Sequence, residues 1–122
     1  MRTGRIEAGS LRGRRAKRFG ALYIKALFED ARRGRLSVLH VRLKPGAAAP
    51  ALYHRRTDEF FFVLKGSVSG RIGGRRRRFK AGDFCFLPAG TVHEFKAGPR
   101  GLETLDVFFP RLSLSKPDVV LA

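Results

Sequence analysis

Two histidines and one glutamate are the side chains of this sequence best suited to hold a metal ion. His54 and Glu59 are five residues apart, so on one unbroken strand they would face opposite sides. The polar segment 55–58 can reverse the chain and turn both towards one interior from neighbouring antiparallel strands. His93 follows the turn-forming segment 88–91 and could reach the same point from a third strand. Two imidazoles and a carboxylate predict a three-ligand site with open positions for a divalent transition metal: Fe, Mn, Ni, Cu or Zn.

Four other side chains that could take part in such a site are not predicted to be metal ligands. Glu94 directly follows one candidate ligand, and successive strand residues face opposite sides, so it is predicted on the outer surface. Tyr53 directly precedes another candidate ligand and is directed away from the site for the same reason. Asp58 is interpreted as a turn residue, and His40 as a structural or surface histidine rather than a fourth ligand.

Short strand-like runs would carry these ligands, and they occupy most of the chain. Gly, Pro and polar turns separate the runs. Gly73 and Gly74 predict a two-residue hairpin, because glycine tolerates the positive φ that such turns need. Strands at this spacing predict an all-β sandwich or barrel, and no helical stripe of useful length competes. The predicted runs are 19–28, 36–43, 51–54, 59–65, 67–72, 75–80, 83–87, 92–96 and 102–109.

The length of 122 residues fits a single domain. Residues 1–18 are rich in Arg and Gly and are predicted to form a basic N-terminal arm that is irregular or mobile. Residues 19–112 are predicted to form the barrel. For residues 113–122 two possibilities stay open, a last strand or a flexible tail.

Two spaced sets of residues resemble the paired signatures of the cupin superfamily. The first set is Gly46, His54, Glu59 and Gly66, and the second is Gly82, Pro88, Gly90 and His93. Leu52 departs from the family pattern, because it stands where the first of two histidines is usual. Ala97 also departs from it, at the position where the second signature commonly ends in asparagine.

The resemblance implies a small single-domain cupin, which is an antiparallel jelly-roll β-barrel. It implies that His54, Glu59 and His93 bind the metal and that the barrel mouth receives a small organic substrate. The implied chemistry is dioxygenation, isomerisation, epimerisation or decarboxylation. Leu52 can only pack, so a second hypothesis stays open: a non-catalytic barrel that binds or senses a metabolite or sugar and has lost full metal ligation. The sequence is compatible with both an enzyme and a non-enzymatic binding protein.

The chain is strongly basic. It has 26 Lys and Arg residues against 10 Asp and Glu residues, a formal net charge of +16. Such a balance attracts anions, so the small organic ligand is expected to be anionic. The four arginines at 75–78 are interpreted as a charged strand edge that resists aggregation. Nucleic acid is not an expected partner, because the basic residues are scattered and neither helix-turn-helix nor zinc-finger spacing is present.

The phenylalanine run at 60–62 is apolar on both faces of its predicted strand. Alternation places Glu59, Phe61 and Val63 on one face and puts Phe60, Phe62 and Leu64 on the other. If the glutamate faces the cavity, the second face needs a cover from a second sheet, the N-terminal run or a partner subunit. Together with Phe108 and Phe109 near the C-terminus, this face predicts a homodimer.

The chain is expected to be cytoplasmic and to make no membrane contact. Its single cysteine, Cys85, cannot form an internal disulfide. No stretch approaches the roughly 18 uninterrupted apolar residues of a membrane span. The basic segment 14–18 precedes an apolar run, but Lys25 interrupts that run and no signal-peptide cleavage site follows.

Overall fold

The computed structural model describes residues 4–122, and within this range it contains nine strands and no helix. The all-β prediction is therefore confirmed for the described residues. Residues 1–3, the start of the predicted arm, lie outside them. The strands are β1 (Lys17–Phe19), β2 (Leu22–Glu29), β3 (Ser37–Leu43), β4 (Ala48–His54), β5 (Asp58–Ile72), β6 (Arg75–Lys80), β7 (Phe84–Leu87), β8 (His93–Phe109) and β9 (Val119–Leu121).

Strand β8 is central to the sheet and has three antiparallel neighbours. Its residues 102–108 lie between β3 and the first half of β5. Its residues 93–97 lie between β4 and the second half of β5. β1 and β2 continue the sheet from β3, β9 pairs with β4, and β6 and β7 pair with β5. Because the two halves of β8 have different neighbours, the sheet curls around an interior.

The backbones of β5 and β8 come close together where β8 changes neighbours. The pairing of β5 with β8 shifts on both sides of Gly66, where φ is +77°. A Cβ atom on Gly66 would lie 2.0 Å from the carbonyl oxygen of Gly101, so only glycine fits this position. Gly73 and Gly74 connect β5 to β6 with φ values of +58° and +82°, as predicted for a two-residue hairpin.

Two buried apolar clusters form the core. Their side chains come from alternate positions of the strands, as expected for a sheet with one face turned inward. One cluster consists of Leu43, Phe61, Val63, Val68, Ile72, Leu87, Ala97 and Leu102. The other consists of Ile24, Leu39, Val41, Phe108 and Leu112. Residues of both clusters line a single interior cavity.

Phe60, Phe62 and Leu64 are on the opposite face from Glu59, Phe61 and Val63, as alternation predicts. Neighbouring strands add apolar side chains to the same outer face. This outer apolar patch consists of Phe60, Phe62, Leu64, Phe84, Phe86, Leu105, Val107 and Phe109. Phe108 does not belong to it. Phe108 is 4% exposed and faces the interior, because alternation along β8 puts it opposite to Phe109.

Strand pairing begins at Lys17 in β1, and residues 119–121 pair with β4 as β9. The division into an arm at 1–18, a barrel at 19–112 and a C-terminal segment at 113–122 stays a prediction. Within residues 4–122 there is no helix of the length and apolarity needed to cross a membrane. The cytoplasmic location also stays a prediction.

Candidate metal centre

The ends of three strands bring the three predicted ligands together. His54 is the last residue of β4, Glu59 is the second residue of β5, and His93 is the first residue of β8. Residues 55–57 form the short reversal between β4 and β5 that the polar sequence predicts. All three side chains are buried, with at most 8% of each exposed. Residues distant in sequence thus converge in the interior of the barrel.

The donor atoms of these residues are close to one another. The Oε1 atom of Glu59 lies 3.7 Å from the Nε2 atoms of both His54 and His93. All the candidate donor atoms lie within 4.8 Å of one another, and the two imidazole rings stack at 5.9 Å between centroids. Donors that share one ion at about 2.0–2.2 Å lie roughly 3.0–3.6 Å apart, so small side-chain shifts would bring this set onto a metal.

Hydrogen bonds orient both imidazoles towards this centre. The Nδ1 atom of His93 lies 2.9 Å from the carbonyl oxygen of Thr91, and that of His54 lies 3.1 Å from Oδ1 of Asp118. Both partners are acceptors, so in the neutral imidazoles Nδ1 carries the proton and Nε2 has the free lone pair. An imidazole in this tautomer is ready to bind a metal through Nε2.

Burial affects the charge states within the cluster. Burial lowers the pKa of His93, which favours the neutral imidazole that a metal requires. Burial also raises the pKa of Glu59 well above its usual value, and the neighbouring carboxylate of Asp106 raises it further. A cation at this position would favour the ionised form of Glu59 by direct attraction. The donor set therefore fits a divalent metal in both composition and position.

Asp106 and Thr104 are polar residues of the interior that sequence reasoning missed. Both are buried, the Thr104 hydroxyl donates a hydrogen bond to Asp106, and Asp106 interacts with Glu59. Alternation from His93 along an unbroken strand would put even-numbered residues outside. The irregular pairing at 98–101 reverses this parity, so residues 102, 104, 106 and 108 face the cavity.

Asp118 is a second missed residue, and it lies in the C-terminal segment. Its Oδ1 accepts from His54, while its Oδ2 accepts from the backbone N–H of Arg56 and the hydroxyl of Thr57, each at 2.8 Å. Burial alone would raise its pKa, but these hydrogen bonds lower the pKa of Asp118 to about 2. Asp118 therefore stays ionised and joins the C-terminal segment to the β4–β5 turn.

The cluster opens onto an interior cavity of about 300 Å³. Its walls are apolar apart from His54, Glu59, His93, Thr104 and Asp106. Among residues 4–122, no lysine or arginine lines it. The net charge predicts an anionic ligand, but the basic side chains of residues 4–122 lie outside the cavity wall, because strand alternation and turns direct them outwards.

The other four side chains considered from the sequence lie outside the cluster. His40 is buried on the outer side of β3, where its Nε2 lies 2.9 Å from Oε1 of Glu103. Glu94 is exposed, and Tyr53 is absent from the cavity wall, as alternation predicts. Asp58 begins β5 and accepts a hydrogen bond from the backbone N–H of Ala89. None of the four is positioned to be a fourth ligand.

The two departures from the family pattern have different surroundings. Leu52 lies in the cavity wall, directly opposite His93 in the pairing of β4 with β8 and two residues before His54. All three side chains therefore share the inner face. Ala97 is buried in the first core cluster, away from the donor atoms.

Comparison with known proteins identifies a family and a set of similar folds. A family model described as a cupin domain matches residues 39–108. A curated protein of Aquifex aeolicus, described as uncharacterized, is 34% identical over 58 residues. That match covers 48% of this chain and 48% of the relative, so it spans about half the length of the curated protein.

Several solved structures share this fold at low sequence identity. KdgF from a Halomonas species has a TM-score of 0.71 and 24% identity over 79% of this chain and 84% of its own. An uncharacterized protein with a double-stranded β-helix domain from Klebsiella pneumoniae has a TM-score of 0.75 and 20% identity over 97% and 98%. Oxalate decarboxylase from Bacillus subtilis has a TM-score of 0.74 and 22% identity over 98% of this chain but 33% of its own. The jelly-roll barrel predicted from the sequence is thereby confirmed.

Proposed function

The chain belongs to the cupin domain family, and on that premise we propose that it is a metal-binding barrel that takes a small organic molecule into its cavity. The proposed ligands are His54, Glu59 and His93. The observation that carries this proposal is that both imidazoles direct a free Nε2 atom at the same buried carboxylate.

The proposed site divides the work between a metal and this chain's own side chains. A divalent transition metal supplies Lewis acidity and open positions for an oxygen of the organic molecule. The two histidines and the glutamate hold the ion, and the carbonyl of Thr91 and the carboxylate of Asp118 fix the histidine tautomers. The apolar walls exclude water, which strengthens electrostatic interactions inside the cavity. Oxygenase, isomerase and epimerase chemistry are all compatible with such a site.

A second candidate function is a non-catalytic barrel that binds or senses a metabolite without a fully ligated metal. The position of Leu52 favours it, because a side chain that can only pack occupies the inner face beside His54 and His93. The cavity itself would serve either function. Metal content therefore separates the two candidates.

We also propose that the protein is a homodimer that buries the outer apolar patch. Phe84, Phe86 and Phe109 are 64%, 52% and 40% exposed, and Leu64 is 43% exposed. Strand pairing makes these side chains contiguous with the half-buried Phe60 and Phe62. An apolar surface of this extent, formed by aromatic side chains on a rigid sheet, suits a self-complementary contact.

Elemental analysis of protein purified without a polyhistidine tag tests the metal proposal. We expect about one equivalent of Fe, Mn, Ni, Cu or Zn in the native protein and none in a His54→Ala/His93→Ala double variant. The matched control is His40→Ala, which removes an equally buried histidine outside the cluster. This control should retain the metal.

The result also decides between the two candidate functions. A native protein that stays metal-free after reconstitution with each of these ions would contradict the metal proposal and favour the non-catalytic barrel. Equal metal content in the native protein and the double variant would show that the ion is bound elsewhere, which also contradicts the proposal.

A further inference from the structure

We propose that the molecule bound in the cavity is mainly apolar and carries a single polar head, and that it is not a multiply charged anion or a sugar. This inference rests on the proposed function, because the polar head would bind at the His54–Glu59–His93 cluster.

The walls of the cavity are formed by aliphatic and aromatic side chains from several strands. Leu39, Val41 and Leu43 come from consecutive inward positions of β3. Phe61 of β5 and Phe95 of β8 meet edge to face at 5.5 Å between ring centroids, and both line the cavity. Burial of apolar ligand surface against such walls is favourable by roughly 25 cal/mol per Å². A ligand hydroxyl or carboxylate at these positions would find no partner.

The polar groups of the cavity form one contiguous cluster. Glu59 lies 3.7 Å from each imidazole Nε2 and interacts with Asp106, and Asp106 accepts from Thr104. No other residue with a polar side chain lines the cavity within the described chain. A ligand can therefore find polar side chains at one place in the cavity only.

The ionisable side chains of the cavity are two acids and two histidines, whereas the chain as a whole is strongly basic. The two acids, Glu59 and Asp106, are both buried, and no lysine or arginine from residues 4–122 reaches the wall. The four arginines at 75–78 are exposed on β6 instead. A second negative charge on the ligand would lie unpaired against apolar side chains, which is costly. The net charge of +16 thus does not predict the ligand class.

The size and rim of the cavity are consistent with a small apolar ligand. A volume of about 300 Å³ is at the lower end of the range for ligand sites. Leu22 of the N-terminal hairpin and Leu114 of the C-terminal segment, both half-buried, line it as well. A bound molecule would therefore also have apolar contacts away from the metal cluster.

Calorimetric titration of the Zn²⁺-loaded protein with three probes tests this ligand class. The probes are 2-naphthoate, with one polar head, naphthalene-2,6-dicarboxylate, with the same rings and a second carboxylate, and glucuronate, with one carboxylate on a polar body. We expect 2-naphthoate to bind at least about tenfold more tightly than either of the others, which corresponds to about 1.4 kcal/mol. Similar or tighter binding of the dicarboxylate or of glucuronate would overturn the inference.

Two wall variants locate the binding. Leu22→Trp and Leu114→Trp each put a larger side chain in the cavity wall and should weaken 2-naphthoate binding at unchanged zinc content. The matched control, Leu121→Trp, alters a leucine that is 71% exposed and outside the cavity, and it should bind as the native protein does. Unchanged affinity in both wall variants, with both folded, would place the probe elsewhere and contradict the inference.

A binding experiment on metal-free protein separates this inference from the proposed function. The His54→Ala/His93→Ala variant lacks the proposed ligands but keeps the apolar walls, so neutral 2-naphthol should still bind more tightly than glucuronate. If zinc fails to bind the native protein but this preference remains, the metal proposal fails and the apolar ligand class stands. If zinc binds and the preference is absent, the metal proposal stands and the apolar ligand class fails.

Discussion

The orientation of two imidazole rings is the strongest feature of the site at the scale of single residues. A histidine on a strand is more often a hydrogen-bonded core or surface residue than a metal ligand. Here Thr91 and Asp118 each accept from an Nδ1 atom, and both Nε2 atoms face Glu59. The same hydrogen bonds would reduce the reorganisation that metal binding requires. Removing these hydrogen bonds should therefore weaken metal binding without removing a ligand.

Asp118→Ala tests this role of the second carboxylate. We expect zinc affinity to fall roughly 10–100-fold, because His54 loses the acceptor that fixes its tautomer and ring orientation. Affinity can be measured by competition with a chromophoric chelator. Asp118→Asn should restore part of the affinity, since its amide oxygen can still accept from Nδ1.

Stability measurements distinguish positioning from simple loss of structure. Asp118 also accepts from Arg56 and Thr57, so the alanine variant should unfold at a lower temperature. Asp83→Ala is the matched control, because Asp83 accepts from the backbone of Lys80 and does not contact the cluster. An Asp118→Ala protein with native zinc affinity would contradict the positioning role, whatever its melting temperature.

Leu52→His tests whether the site lacks one ligand. The side chain at position 52 shares the inner face with His54 and His93, so an imidazole there should face the proposed metal. We expect zinc affinity to rise by about tenfold or more, equivalent to about 1.4 kcal/mol or more. Tyr53→His adds the same imidazole to the opposite face and should change nothing. Equal affinities of the two variants would contradict this placement.

At the scale of elements, the irregular pairing between β5 and β8 determines which side chains face the cavity. Residues 93 and 95 face inward before the irregularity and residues 102–108 face inward at even positions after it. Both halves of one strand can therefore contribute to the cavity. Gly66 and Gly101 make this possible through their close backbone approach.

Gly66→Ala should consequently be among the most destabilising single-methyl additions. Its Cβ would lie 2.0 Å from a carbonyl oxygen, and its φ of +77° is unfavourable for alanine. Strain and overpacking together should lower the free energy of unfolding by roughly 2–5 kcal/mol. Urea denaturation followed by circular dichroism measures this change.

Gly74→Ala is the control for backbone strain alone. Gly74 has a similar φ of +82°, but a Cβ there meets nothing within 4 Å. Its cost should be roughly 1–2 kcal/mol. If the two variants lose the same stability, the close approach at Gly66 is not important for the fold.

Most strand positions could be predicted from the sequence, but their continuity could not. The runs predicted at 59–65 and 67–72 are one strand, β5, and those at 92–96 and 102–109 are, from residue 93 onwards, parts of one strand, β8. Glycines at these breaks let the strands bend without ending. Conversely, the single run predicted at 19–28 contains the last residue of β1, a turn and most of β2, because Gly20 adopts a φ of +60° between the two strands.

Sequence patterns are local, and this also explains which site residues could be predicted. His54, Glu59 and His93 could be predicted because their spacing and the intervening turns are local features of the sequence. Asp106 was hidden by the reversal of parity within β8. Asp118 was hidden because it reaches His54 from 64 residues away, through the pairing of β9 with β4. Neither signal exists before the sheet is assembled.

At the scale of the whole molecule, the cavity and the outer apolar patch occupy opposite faces of the same strands. Phe61 lines the cavity, whereas Phe60 stacks on Phe84 in the patch, with 5.7 Å between ring centroids. A partner on the patch would cover exposed aromatic surface without blocking the cavity. The proposed dimer and the proposed ligand site are therefore compatible.

Electrostatic repulsion between two basic chains opposes the proposed dimer, so the salt dependence of dimerisation tests it. Each chain carries a formal charge of +16, so two copies repel one another while burial of the patch attracts them. Sedimentation velocity should show a dimer that tightens between about 0.05 and 0.5 M salt, because salt screens the repulsion. Phe84→Glu places a charge in the patch and should give monomers that retain zinc. The control variant Leu121→Glu introduces the same charge at an exposed leucine outside the patch, and it should stay dimeric. A monomeric native protein, or a dimeric Phe84→Glu variant, would contradict the proposed interface.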